Sequence, residues 1–118
     1  MKILKVEPGK VSYEKEIDNT LENIQQEVGG GLLQSVYLGG RVILCCNEEG
    51  KLNGMEPNQR IGDDIICGPF FLVSENGEGE FVSLSDKQMQ LCKELFAEPE
   101  QFTGEEPELE PHVEFYVM

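Results

Sequence analysis

Residues 47–60, NEEGKLNGMEPNQR, place polar side chains of several kinds between two apolar runs, VILCC and IICGPFFLV. Lys51 and Arg60 are two of only nine basic residues in the chain, and an ammonium near a guanidinium suits a phosphate or a carboxylate. Gly50 and Gly54 let the backbone approach a ligand closely. We therefore expect a site for a nucleotide-like small molecule. Its polar residues would be Asn47, Glu48, Lys51, Asn53, Asn58 and Arg60, with Tyr37 and Phe70 as stacking faces.

The same segment also fits a solvent-facing loop without a ligand. Asparagine and glycine are ordinary turn residues. Lys51 and Arg60 can pair with nearby carboxylates and hold a long loop closed; the candidates are Glu48, Glu49, Asp63 and Asp64. Both interpretations remain open at this point.

The residues do not form a recognisable catalytic set. Gly50-Lys51 is followed by Leu52, so the phosphate-binding pattern G-x-x-x-x-G-K-[ST] is absent. The adjacent carboxylates Glu48 and Glu49 would point to opposite faces of a strand, and His112 is the only histidine. We therefore expect a protein that is not an enzyme and that needs no cofactor or metal. The four cysteines have no C-x-x-C spacing and are expected to be buried thiols in a reducing cytoplasm.

The chain is strongly acidic, with a net charge of −14. Residues 71–118 carry twelve of the Asp and Glu residues against two lysines, Lys87 and Lys93. This charge disfavours direct binding to nucleic acid or to anionic membranes, and no apolar run reaches the roughly 20 residues of a membrane span. It favours a second hypothesis, in which the acidic surface docks as an inhibitor or DNA mimic in the basic groove of a nuclease or another DNA-binding protein.

The elements that must position these residues are those of a small α+β domain. LLQSVYL and RVILCC flank Gly39-Gly40 and predict a hairpin, while Gly68-Pro69 inside IICGPFFLVS predicts an edge strand or a bulge. Helices are expected after Asn19 and after Ser85, each with a capping box. The predicted order is ββαββββα, with a mostly antiparallel sheet in residues 1–97. An acidic tail follows in residues 98–118, ending in HVEFYVM as a candidate final strand, and exposed edge strands make a homodimer plausible.

Several of these stretches together resemble one protein family. The shared pattern is a VGG helix end, then N-E-E-G-K-L-x-G, N-x-R and G-P-F, which stand here at Val28–Gly30, Asn47–Gly54, Asn58–Arg60 and Gly68–Phe70. Over residues 1–96 the chain resembles the family named domain of unknown function 3846. That resemblance implies an accessory protein of a phage or mobile element, with a role in counter-defence. Under the second hypothesis, the protein whose groove is occupied would then be a host defence protein. A purely structural accessory domain is the further alternative.

Overall fold

The computed structural model describes residues 1–110, which form an α+β domain as predicted. The strands are β1 (Lys2–Val6), β2 (Tyr13–Glu16), β3 (Leu33–Gly39), β4 (Val42–Asn47), β5 (Pro57–Ile61), β6 (Asp64–Cys67), β7 (Phe70–Glu75) and β8 (Phe81–Val82). The α-helices are α1 (Leu21–Glu27) and α2 (Asp86–Leu95), and Pro107–Leu109 form a 3₁₀ turn. The predicted final strand within residues 112–118 lies outside the described residues.

Six strands form one antiparallel sheet in the order β2-β1-β7-β4-β3, with β8 paired to one end of β7. The remaining strands, β5 and β6, form a separate hairpin. Both faces of the large sheet are covered, because alternate residues of β7 point to opposite sides. Phe71 and Val73 pack with α1, whereas Phe70 and Leu72 pack with α2 and with Ile61 and Ile66 of the β5–β6 hairpin.

Six strands, rather than the predicted four, separate the two helices. The end of the polar segment pairs as β5, and IICGPFFLV divides into β6 and β7. Gly68 makes that division with a positive φ of 88°, and Pro69 lies in the turn. The expectation of an edge strand or a bulge here was therefore wrong, because Gly68 and Pro69 separate two strands and β7 lies at the centre of the sheet between β1 and β4.

The β3–β4 hairpin is confirmed, although its turn is shifted by one residue. Gly40 and Arg41 both have positive φ, while Gly39 stays in the strand opposite Val42. The pairing skips from Tyr37 to Gly39, so Leu38 is bulged. The extra residue explains why the Gly-Gly pair does not itself form the two-residue turn.

The helices differ from the prediction at two positions in α1 and at one in α2. The N-cap of α1 is Thr20, whose hydroxyl accepts from Asn23 N at 3.2 Å, whereas Asn19 Nδ2 donates to the Phe81 carbonyl at 2.9 Å. Leu21, expected on the buried face, is exposed. The capping box of Ser85 and Gln88 is confirmed for α2. Met89, Cys92 and Phe96 are buried as predicted, but Leu95 is 69% exposed, because it lies at the border of the helical stripe that these three residues form at i, i+3 and i+7.

All four cysteines are buried and free. Burial raises the pKa of Cys45 to about 12 and that of Cys46 to about 11, so both stay protonated at neutral pH. Among residues 1–110, no helix is long and apolar enough to cross a membrane.

Candidate functional site

Asn47 begins the polar segment and is buried at the end of α1. Its Nδ2 donates to the carbonyls of Val28 at 3.0 Å and Gly30 at 2.6 Å, and its Oδ1 accepts from Glu49 N at 2.9 Å. These carbonyls belong to the end of a helix, where backbone acceptors lack intrahelical partners. Asn47 therefore fixes the start of the segment to the glycine-rich end of α1.

Asn58 fixes the other end of the segment from within β5. It is buried, and its Nδ2 donates to the carbonyls of Val6 and Gly68, each at 2.9 Å. The amide thus joins the small hairpin to the end of β1 and to the β6–β7 turn. Its Oδ1 has no hydrogen-bond partner within residues 1–110.

Close backbone contacts hold the middle of the segment. A Cβ atom on Gly50 would overlap the carbonyl oxygen of Cys67. Met55 lies between two other glycines: a Cβ on Gly29 would come within 2.9 Å of Met55 Cε, and one on Gly68 within 2.5 Å of Met55 Sδ. The glycines of the VGG, EGK and CGP stretches thus allow the segment to pack directly on its neighbours.

The outer side of the segment faces a half-open pocket of about 230 Å³, which we call the loop pocket. Its wall comes from residues 46–52, from β6 and from one residue of β3. The lining residues are Gln34, Cys46, Asn47, Glu48, Gly50, Lys51, Leu52, Asp64, Ile65, Ile66 and Cys67.

Lys51 supplies the positive charge of the loop pocket. Its side chain is only 17% exposed, and Nζ forms an ion pair with Asp64 across the pocket. Leu52 is 65% exposed although it is a large apolar residue at the rim. Burial raises the pKa of Cys67, an effect that nearby Lys51 reduces and Asp64 increases. The pocket therefore combines an enclosed ammonium with neutral thiols and aliphatic groups.

Of the eight site residues predicted from the sequence, three line the loop pocket: Asn47, Glu48 and Lys51. Asn53 is exposed on the turn, outside the lining. Asn58 is buried beneath the segment. Phe70 has no exposed surface and packs edge-to-face on Phe96, with ring centroids 5.4 Å apart, so it offers no face to a ligand.

Tyr37 and Arg60 lie elsewhere. Tyr37 follows Val36 in β3, so strand alternation places it on the face of the sheet opposite Val36 and Gln34. Arg60 is exposed on β5 and lines a different depression. Its Nη1 donates to Glu108 Oε1 at 2.9 Å, and its backbone N donates to Glu100 Oε1 at 3.0 Å. The structure therefore separates the two cations that the sequence suggested for one anion.

The structure also adds residues that the sequence did not assign to the site. Gln34, Cys46, Ile66 and Cys67 join the lining from β3, β4 and β6. Asp64 was expected only as a pairing partner of Lys51. The polar residues Gln34 and Ser35 within the strand-like run LLQSVYL were the signal that this strand exposes part of its surface.

The described part of the acidic tail lies against the β5–β6 hairpin. Besides the two contacts of Arg60, Gln59 Nε2 donates to the Glu98 carbonyl at 3.2 Å. Glu106 accepts from the backbone of Thr103 at 2.7 Å and of Gly104 at 3.0 Å, and these bonds, led by that from Thr103, lower its pKa. Three tail carboxylates, Glu100, Glu106 and Glu108, thus bond to the protein itself. In residues 1–110 no three His, Cys, Asp or Glu side chains cluster as a metal site.

Comparison with known proteins gives one finding. A family model described as Domain of unknown function (DUF3846) matches residues 1–97. The match includes all eight strands, both α-helices and the entire loop pocket. No curated protein and no solved structure is similar enough to match the chain.

Proposed function

The chain belongs to the DUF3846 family, and from that premise we propose that it is a non-enzymatic protein that sequesters a nucleotide-like small molecule in the loop pocket. The resemblance to accessory proteins of phages and mobile elements makes counter-defence the role of such sequestration. The ligand would be a host signal whose removal protects the invading element. The observation that carries the proposal is the enclosed ammonium of Lys51 beside an exposed leucine.

The charge of Lys51 favours an anionic ligand. An ammonium has three donors, and Asp64 accepts from one of them. The Asp64 carboxylate also accepts from the backbone N of Ile65 at 2.8 Å, and it can keep both bonds while the remaining donors of Lys51 turn to a phosphate. The attraction between Lys51 and an anion is stronger in this partly enclosed position than in water, because the lower local dielectric screens the interaction between the two charges less.

The other lining residues suit the remaining parts of a nucleotide. Leu52, Ile66 and the neutral thiols provide apolar surface for a base, while Gln34 and Glu48 provide hydrogen-bonding groups at the rim. The volume of about 230 Å³ lies below the ~300–1,000 Å³ that encloses a drug-sized ligand. We therefore expect one part of the ligand to be enclosed and the rest to lie over Leu52.

Native mass spectrometry tests this proposal. The protein is incubated with a metabolite extract of host cells and with a panel of nucleoside monophosphates and cyclic nucleotides. We expect a small added mass on the wild type and at least a tenfold weaker complex with Lys51→Gln. Lys10→Gln is the matched control, because Lys10 is exposed and pairs only with its neighbour Glu7 at 4.0 Å. The absence of any added mass on the wild type, or equally strong binding by Lys51→Gln and Lys10→Gln, would overturn the proposal.

Docking of the acidic surface in a basic groove is less well supported. The net charge of −14 favours it, but a DNA mimic needs carboxylates that are available to a partner. Glu100 and Glu108 instead bond to Arg60, and Glu106 bonds to its own turn. A structural accessory role has no specific contact in its favour.

A further inference from the structure

The large sheet ends in two edge strands of opposite character. β2, with the sequence YEKE, is charged at three of its four positions. β3, with the sequence LQSVYLG, has no charged residue along its seven positions. Natural proteins usually protect edge strands with charge, proline or irregular geometry, since an open edge can pair with another chain. Only β2 is protected by charge.

β3 has an open side along its regular part. Within residues 1–110 it pairs with β4 alone, and the register is regular from Leu33 to Tyr37. The bulge at Leu38 is confined to the end near the turn. Along these five residues, every second one directs its backbone N–H and C=O groups away from β4, where no partner strand meets them.

Apolar groups flank this open side on both faces of the sheet. Tyr37 is 63% exposed on the α1 face. On the α2 face, Leu38 borders a groove of about 520 Å³ with Leu91 and Leu95, both of which are exposed. Such surface beside an unpaired strand is typical of an interaction site.

We propose that β3 is the docking surface for a second copy of this chain. The two β3 strands pair antiparallel, with the two-fold axis passing beside Ser35 at the middle of the regular stretch, so that the sheets of the two protomers become continuous. This arrangement is a two-fold symmetric interface, in which the same residues contact each other from both sides. Leu91 and Leu95 then border the added strand instead of solvent.

The absence of charged residues along β3 favours a second copy over a basic partner at this edge. A basic segment would find no carboxylate on β3, and among residues 1–110 Glu94 is the only charged residue that lines the groove. Two copies can meet along β3 without like charges directly opposite each other, which would be destabilising. An approach through β2 would instead bring Glu14 and Glu16 against their own counterparts.

The proposal has a distinctive dependence on salt. Each copy carries a net charge of −14, so long-range repulsion opposes the approach of two copies at low ionic strength. Added salt screens this repulsion, whereas the uncharged contact itself does not depend on it. Dimerisation through β3 therefore strengthens as salt rises, while binding to a basic partner would weaken.

Sedimentation equilibrium of the full chain over a salt series provides the test, with masses of 13.2 kDa for one copy and twice that for two. Tyr37→Lys adds a charge at the open edge, and Tyr13→Lys adds the same charge at the β2 edge as the matched control. We expect the wild type and Tyr13→Lys to dimerise more strongly with salt, and Tyr37→Lys to raise the dimer dissociation constant at least tenfold.

Ser35→Lys gives an independent variant at an exposed position of the same strand, and circular dichroism checks that each variant is folded. A wild type that is monomeric at every salt concentration overturns the proposal. So does equal dimerisation of the wild type, Tyr37→Lys and Ser35→Lys.

Discussion

Asn58 and Lys51 belong to the same polar segment, yet they differ in what they contact. Asn58 is buried and bonds to two backbone carbonyls from different parts of the chain. Lys51 faces the loop pocket and bonds to one carboxylate whose side chain is largely exposed. The segment therefore has an inner set of residues that holds the fold together and an outer set that is available to a ligand. Residues of the inner set and of the outer set follow one another closely along the segment.

The largest expected effect is that of Asn58. In Asn58→Ala the carbonyls of Val6 and Gly68 both lose their donor while they remain buried. Because a buried group without a partner costs ~1–3 kcal/mol, we expect the free energy of unfolding to fall by about 3 kcal/mol. Urea denaturation followed by circular dichroism measures this change.

Asn53 provides the matched control for Asn58. It is the same residue type in the same segment, but it is exposed on the turn. Asn53→Ala should change the free energy of unfolding by no more than about 0.5 kcal/mol, as is usual for surface substitutions. Similar losses in the two variants would contradict the division into inner and outer residues.

Gly50 should show a smaller but clear effect. The added methyl group of Gly50→Ala would overlap the Cys67 carbonyl, so either the segment or β6 must move. Overpacking of this kind costs ~1–3 kcal/mol, and we expect a loss of about 2 kcal/mol in thermal or urea unfolding.

Gly54→Ala separates steric overlap from backbone conformation. Gly54 has a positive φ of 68°, but no atom lies within 4 Å of an added Cβ. Only the conformational cost of about 1 kcal/mol applies. Gly54→Ala should therefore be the more stable of the two variants, and the reverse order would show that Gly50 does not pack against β6 as described.

The sequence predicted the fold class because the relevant signals are local. Ser85 and Gln88 lie in one helical turn, and the β3–β4 hairpin is marked by its glycines and apolar flanks. The extra strands were missed because β5 is built from PNQRI, which has no apolar alternation. Asn58 within it bonds to the carbonyls of Val6 and Gly68, 52 and 10 residues away in the chain, and no local pattern reveals such contacts.

The site was predicted only in part for a related physical reason. Lys51 was correctly expected to have a carboxylate close by, since Asp64 is one of its four candidate partners. Polarity alone cannot separate Asn47 and Asn58, whose amides point inward, from residues that face a ligand. Arg60 was grouped with Lys51 because they are close in sequence, but β5 carries it to Glu100 and Glu108 of the tail.

The smallest expected effect concerns the end of α1, to which Asn47 bonds. Low pH weakens the ion pairs of this helix end without any substitution at Asn47. Glu27 Oε2 accepts from Lys15 at 2.9 Å and Oε1 from Lys5 at 3.1 Å, immediately before the carbonyls that Asn47 binds. Burial by itself would raise the pKa of Glu27, but the hydrogen bonds from Lys15 and Lys5 outweigh it and hold the pKa below the ordinary value of 4.5.

A carboxyl group with a lowered pKa in the folded state stabilises the protein above its unfolded pKa, and this contribution is lost as the pH falls through the folded pKa. Glu27→Gln should therefore be less stable than the wild type at neutral pH, and the difference should narrow as the pH falls below 4.5. Glu14→Gln is the control, because the hydrogen bond from Lys93 also lowers the pKa of Glu14, but Glu14 is exposed. We expect this variant to differ less from the wild type in its free energy of unfolding, and added salt to reduce that difference further. Urea unfolding across this pH range measures both differences. A difference for Glu27→Gln that stays constant with pH would show that its ion pairs do not hold the end of the helix.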